Sequence, residues 1–245
     1  MTERNSNESQ AYIDWKAWNA KEFGDFTKEE GVQFAAEMKA AGAHLTASTK
    51  LLEIGFGNAA FAGWVRTVAS QYVGTEANLQ LVARAKSLGM EAYPSTTSLP
   101  AVAAGRKFDL IVIFDVLEHL AIDEIVATLQ ACREALSNDG LIVLRVPSGD
   151  SPFSGPLRYG DITHKTFLGT HAIMQLAKIT GLDVTSIHDA AFPILGQGMR
   201  VAITRTFVAC CRKIIGKLIN AAFNGNSKAV MSINMVAVLR LQRPH

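Results

Sequence analysis

Much that would assign this chain to a special class is missing from it. Among 245 residues there are three cysteines, Cys132, Cys210 and Cys211, and no C-x-x-C pair. That argues against a disulfide framework or a thiolate zinc site and for structural thiols in a reducing compartment. No segment reaches the roughly 18 uninterrupted apolar residues that a membrane span needs. The first ten residues, MTERNSNESQ, are polar and no apolar run follows them, so a secretory signal is not expected and the expected location is the cytoplasm. Acids are missing from one end. The last is Asp189, whereas eight Lys/Arg follow between Ala190 and His245, a split that the net charge of +2 conceals. Such asymmetry marks either a solvated basic face or a surface for an anionic partner.

What is present is apolar and periodic. At 49% hydrophobic residues the chain can bury a full core without staples. Residues 11–43 carry helical spacing on Tyr12, Trp15, Trp18, Phe34, Ala35 and Met38, which predicts two helices ahead of the first strand. Strands and helices then alternate. Strands are expected at Lys50–Ile54, Gln71–Thr75, Met90–Tyr93, Phe108–Phe114, Gly140–Val146, Asp183–Ala190 and Ile233–Leu241. Helices are expected at Ala60–Ser70, Asn78–Leu88, Ile122–Leu136, Thr170–Thr180 and about 201–220. FDLIVIF and GLIVLRV are near-continuous apolar runs, the mark of parallel strands covered on both faces. The pattern predicts a doubly wound, Rossmann-like α/β sheet over residues 47–245, preceded by a helical cap over 1–46, in one globular unit. The stretch 147–167, with three prolines and three glycines, reads as a long loop beyond the carboxyl end of a strand, where open α/β sheets bind ligands.

The first strand runs into LLEIGFGNAAF. A Walker phosphate loop would need a lysine that nothing after Gly55 supplies. The spacing Gly55-x-Gly57-x-x-Ala60, with Glu76 about twenty residues on, fits both a nicotinamide dinucleotide and adenosylmethionine. Glu53 favours the second, because a carboxylate in the turn repels a pyrophosphate but attracts a sulfonium and an ammonium group.

LEIGFGNAAF, then YVGTE, FDLIVIFDVLEHL and LSNDGLIVLRVP, in that order over roughly residues 50–190, resemble the class I S-adenosylmethionine-dependent methyltransferases. The resemblance implies seven strands, the last antiparallel. It implies S-adenosyl-L-methionine as cofactor, with Glu53, Gly55 and Gly57 at its methionine end, Glu76 on the ribose hydroxyls and Asp115 near the amino-acid moiety. The acid that commonly follows the third strand and binds the adenine is missing. Ser95 or Thr96 of Pro94-Ser95-Thr96-Thr97 must replace it through a hydroxyl. RYGDITHKTF, Arg158–Phe167, is similar to a subgroup of these enzymes found in bacterial surface-polysaccharide and glycan biosynthesis. That implies a sugar or glycan intermediate as methyl acceptor. The alternatives are another small metabolite or a lipid or quinone precursor, or a non-catalytic cofactor-binding scaffold.

Transfer to a hydroxyl needs a proton acceptor, and histidine serves near neutral pH. Of six histidines, His119 and His164 fall in suspected site segments. His164, oriented by Asp161 three residues before it, is the expected base, and His119 is the second candidate. Arg158 and Tyr159 are expected on sugar or phosphate oxygens, or else pinning the loop. No zinc-type ligand spacing exists among Asp115, Glu118, His119, Asp161 and His164, and no metal is expected. The helix near 201–220 divides into an apolar half, with Ile203, Phe207, Ile214 and Leu218, and a basic half, with Arg205, Arg212, Lys213 and Lys217. It reads as an outer helix, as a contact with an anionic membrane surface, or as a homodimer contact. Nucleic acid is not an expected partner, since the pI of about 8.4 is moderate and the basic tail lacks interleaved aromatics.

Overall fold

The computed structural model describes residues 14–16, 22–69, 71–194, 198–224 and 229–242. Seven strands, β1 (Lys50–Ile54), β2 (Gln71–Glu76), β3 (Glu91–Pro94), β4 (Phe108–Phe114), β5 (Leu136–Pro147), β6 (Leu182–Asp189) and β7 (Asn234–Leu241), form one sheet. Their order across it is β3-β2-β1-β4-β5-β7-β6. β1 to β5 pair in parallel, and β7 runs antiparallel to both of its neighbours, β5 and β6. This is the seven-stranded Rossmann-like sheet with its last strand reversed.

Central strands are apolar on both faces because both are covered. Leu52, Ile111, Ile113, Ile142 and Leu144 face one layer of helices, while Leu51, Leu110, Val112 and Val143 face the other, following the two-residue period of a strand. The first layer comprises α5 (Ile122–Ala135), which contributes Ile125 and Leu129, and α7 (Thr170–Thr180), which contributes Ile173 and Leu176. The other layer includes α1 (Lys28–Ala40), α2 (Ala60–Val65) and α3 (Leu79–Ser87). Thr27 and Glu30 form a capping box at the start of α1, and Asn78 caps α3. Phe34 of α1 meets Phe61 edge-on at 5.3 Å and lies 5.7 Å from Trp64, so this helix of the N-terminal cap shares the core of the sheet. Of the helix expected around Tyr12, Trp15 and Trp18, only Asp14–Lys16 is described; Tyr12 and Trp18 lie outside the described residues.

Three differences from the sequence reading bear on function. The segment after β4 winds into a 3-10 turn at Leu117–His119, and the long loop contains a short helix, α6 (Gly155–Gly160), with one further short helix, α4 (Leu99–Ala103), between β3 and β4. The third concerns α8 (Met199–Ile219), which was expected to bury its apolar half if it packs as an outer helix. It does so only in part: Val208, Cys211 and Ile219 are half-buried, while Ile203, Phe207, Ile214 and Leu218 are exposed. The Arg205 and Arg212 guanidinium groups lie over the ring of Phe192 at 5.3 and 4.5 Å, and Arg205 donates to the Pro193 carbonyl at 2.7 Å. Gly216 is the one buried residue of the helix, and the apolar stripe faces outward. Cationic side chains have reached a ring face and a carbonyl on the body of the protein, and that contact decides the roll of the helix.

Candidate active site

The carboxyl ends of β1, β2 and β4 build one half of the site. Where β1 ends, Gly55 takes φ +79° and its N–H donates to the Thr75 carbonyl at 2.7 Å. A Cβ there would stand 2.3 Å from Val116 Cγ2, so both the angle and the space require glycine. Gly57, at φ +52°, donates its N–H to Glu76 Oε2 at 2.9 Å, and Asn78 N–H donates to Glu76 Oε1 at 2.9 Å. These two amide bonds orient the Glu76 carboxylate at the end of β2, where a ribose-binding acid was expected. Ser95 and Thr96 are exposed in the turn after β3, and Ser95 N–H donates to the Glu76 carbonyl at 2.8 Å. The predicted adenine and ribose contacts are thus neighbours across two adjacent strands.

Glu53 stands differently from the sequence argument. It is 4% exposed and accepts a hydrogen bond from the Tyr72 hydroxyl at 2.7 Å. Burial pushes its carboxyl up to about 7 against the downward pull of that bond, with the Glu76 charge adding to the rise. Near neutrality it is only partly ionised, which weakens the Coulomb pull on a cation that the sequence suggested. Its clear role is to tie β1 to β2 through Tyr72.

Asp115, directly after β4, has φ +56°, a rare left-handed value for a side chain other than glycine. Arg145 of β5 fixes it: Nε donates to Asp115 Oδ1 at 3.1 Å and Nη2 donates to Oδ2. The guanidinium is largely buried and lies 4.4 Å over the Phe114 ring. Sequence reasoning missed Arg145, although a charge inside GLIVLRV was the available signal. The pair leaves a half-exposed carboxylate, suited to an ammonium group. The glycine turn, the oriented Glu76 carboxylate and this clamped aspartate fit S-adenosylmethionine.

The other half is made by the long loop folding onto the turn after β4. Lys165 and Thr166 N–H groups both donate to the Glu118 carbonyl, at 2.7 and 3.0 Å, and the Thr166 hydroxyl donates to the Leu120 carbonyl at 2.6 Å. This stitching brings His119 and His164 together, their ring centroids 4.7 Å apart and steeply inclined. The hydrogen bonds assign their tautomers. Asp161 accepts from both the hydroxyl and the amide of Thr163, so the Thr163 oxygen is left to accept from His119 Nδ1 at 2.8 Å. The Arg158 carbonyl can only accept, so His164 Nδ1 carries the proton across 3.3 Å. With Nδ1 so engaged, Nε2 is the atom of each ring left to take up a proton.

Burial, and then the neighbouring His164, lower His119 to about 4, leaving it neutral but weakly basic at pH 7. His164 Nε2 lies 3.9 Å from Asp161 Oδ2, a charge contact too long for a hydrogen bond. Burial pushes Asp161 up, but the Thr163 bonds and Lys16, 3.2 Å away, outweigh it and hold the carboxyl at about 2. The predicted His164–Asp161 pair thus exists as a charge contact without a direct hydrogen bond. Thr163 and Lys16, which the sequence did not single out, hold the Asp161 carboxylate in place.

Arg158 and Tyr159 do not converge on one point. The Arg158 guanidinium stacks over Phe167 at 4.5 Å and Tyr159 at 5.3 Å, which pins α6 to the end of the loop, whereas Tyr159 is 68% exposed. Glu118 is the remaining surprise. It is 3% exposed, its Oε2 has no hydrogen-bond partner among the described residues, and burial followed by the Asp115 charge lifts it to about 8. One atom each of Glu118, His119 and His164 lie within 4.8 Å of one another, a two-histidine, one-carboxylate set that has the donors to hold a divalent cation.

Comparison with known proteins gives the family and the fold. A family model described as a methyltransferase domain matches residues 26–187. Ubiquinone biosynthesis O-methyltransferases from strains of Cereibacter sphaeroides are 30–34% identical over 99–100 residues, 38% of this chain and 39% of theirs. The chain therefore aligns with about two-fifths of the length of these curated relatives. A SAM-dependent methyltransferase from Archaeoglobus fulgidus superimposes with a TM-score of 0.59 at 16% identity, covering 87% of this chain and 94% of that one. A TehB-like SAM-dependent methyltransferase from Corynebacterium glutamicum gives 0.56 at 17%, covering 97% and 100%. These structures share the fold. The chain belongs to the methyltransferase-domain family.

Proposed function

We propose that this protein transfers the methyl group of S-adenosylmethionine to a hydroxyl of a sugar or glycan intermediate, with His164 accepting the proton. The observation that carries the chemistry is Nε2 of His164, left to take up a proton by the Arg158 carbonyl on Nδ1 and flanked by Asp161. In the displacement the acceptor oxygen bonds to the methyl carbon as the carbon–sulfur bond breaks. The hydroxyl proton passes to Nε2, and the sulfonium becomes a neutral thioether. Asp161, ionised throughout, stabilises the imidazolium so formed. Val116 touches Gly55, and His119 follows it by three residues, which supports a place for the histidine pair near the glycine turn. Oxygen as the acceptor atom is supported by the relatives, which are O-methyltransferases by name. The sugar is supported by the similarity of RYGDITHKTF to glycan-pathway enzymes. A phenolic quinone precursor is the competing acceptor class.

The test is to incubate the protein with the cofactor and two acceptor panels, nucleotide sugars and dihydroxyphenols, and to follow the demethylated cofactor. Turnover on sugars alone supports the reading, turnover on phenols alone replaces the acceptor, and absence of any heat on titration with S-adenosylmethionine removes the function altogether.

A second reading of the same histidines is favoured by the orphaned, buried Glu118 Oε2. Glu118, His119 and His164 would then ligate a divalent cation that lowers the pKa of the bound hydroxyl. Dialysis against a chelator separates the two: undiminished turnover keeps His164 as the base, and loss restored by Mn2+ makes both histidines ligands.

A further inference from the structure

The strongest feature left unexplained by methyl transfer is the outward stripe of α8. On a helix of 100° per residue, Arg205, Arg212 and Gly216 mark the side that touches the body of the protein. Met199, Ile203, Phe207, Ile214 and Leu218 lie on the opposite side. They are 80, 66, 70, 59 and 64% exposed, and Phe223 in the turn that follows is 84% exposed. A stripe about 30 Å long with this many uncovered large side chains is not an ordinary monomer surface. Arg200, Lys213 and Lys217 are exposed along its edges, and no acid follows Asp189 anywhere in the sequence. Among the described residues no helix is long and apolar enough to cross a membrane.

From this arrangement we infer that α8 docks on an anionic bilayer, lying in its plane with the apolar stripe among the acyl chains and Arg200, Lys213 and Lys217 at the phosphate headgroups. Charge decides between this occupant and a second copy of the chain. Two α8 stripes face to face would bring like cations together with no acid on either helix to neutralise them, whereas a phosphate surface complements every charge along the edge. Long basic side chains bordering an apolar stripe also reach headgroups without leaving it.

The position of the helix gives the docking a use. Gly216 packs on Met231, whose carbonyl accepts from the Ser151 hydroxyl at 2.8 Å, and Val230 likewise accepts from Ser148 at 2.8 Å. Ser148 and Ser151 begin the loop that carries Asp161 and His164, at the carboxyl end of β5. The bilayer would therefore lie on the acceptor side of the sheet. This last step rests on the proposed methyl transfer and makes the acceptor a lipid-borne one; the docking itself does not depend on it.

Co-sedimentation of the full chain with vesicles of phosphatidylglycerol and phosphatidylcholine, against phosphatidylcholine alone, tests the docking without any assay of turnover. Binding is expected to the anionic vesicles only, to weaken at least tenfold between low and high salt, and to fall at least tenfold in Phe207→Asp/Ile214→Asp and in Lys213→Glu/Lys217→Glu. All four side chains are exposed, and undiminished binding of S-adenosylmethionine by the variants shows that they are folded. Equal binding to neutral vesicles, or no loss in either variant, overturns the proposal. So does a dimer, seen by sedimentation velocity, that the Phe207→Asp/Ile214→Asp variant dissolves while vesicles bind neither protein.

Discussion

The two halves of the site are built by different means. On the cofactor side, strand ends and backbone amides do the positioning: Gly55 and Gly57 bond to the end of β2, and Glu76 is oriented by two N–H groups. On the acceptor side, side chains reach across some forty-five residues of sequence, as His119 does to Thr163 and Thr166 to the Leu120 carbonyl. The glycine turn is held by rigid, local geometry, whereas the part proposed to meet the acceptor is a loop sewn to a neighbouring turn. The second kind of construction changes more easily without disturbing the first.

That contrast predicts where damage is greatest. Gly55→Ala places a methyl group on Val116 at a left-handed angle, so cofactor affinity should fall at least about 100-fold by calorimetry, with a clear loss of thermal stability. His164→Ala should lower kcat by roughly 100-fold while leaving the cofactor dissociation constant within about twofold. Equal losses in both quantities would show that the loop supports the turn and that the two halves are not separable.

Smaller effects refine the same comparison. A carboxyl raised in the folded state stabilises the protein fully below its unfolded pKa, and that contribution is lost as pH rises through the folded value. For Glu53 the window runs from the ordinary carboxylate value of 4.5 to about 7. Glu53→Gln keeps an acceptor for Tyr72 and cannot ionise, so it should melt above the wild type at pH 8, by on the order of 1–3 kcal/mol, and match it near pH 4.5. Smallest of all, Phe207→Asp should alter unfolding free energy by no more than about 0.5 kcal/mol in a denaturant titration. A loss of several kcal/mol would mean that the stripe is buried in solution.

The strands and the glycine turn were legible in the sequence and the meeting of the long loop with the turn after β4 only in part, for the same reason. β1 and β4 fall on the residues their apolar runs define, and the glycine spacing, Glu76 and Asp115 follow from strand ends. A period of two fixes which side of a strand is buried, but nothing local fixes which loop folds onto which turn. His119 and His164 could be named as candidates, yet their adjacency depends on the Glu118 carbonyl capturing two amides from the loop. Arg145 escaped notice because an apolar run invites the reader to pass over one charge. The helical period of α8 was plain, but its roll was not: Phe192, outside the helix, supplies the face on which two arginines stack.

The placement of β7 between β5 and β6 has a consequence for how the protein is made. The final strand of the sheet is an interior one, so a nascent chain that has already assembled its first five strands still displays the free margin of β5. Until residues 234–241 leave the ribosome, that margin and the waiting β6 can recruit a strand from another molecule. Overproduced chains stalled or clipped before this point should accumulate as aggregates, whereas removing β3 from the opposite border would leave the interior pairings complete.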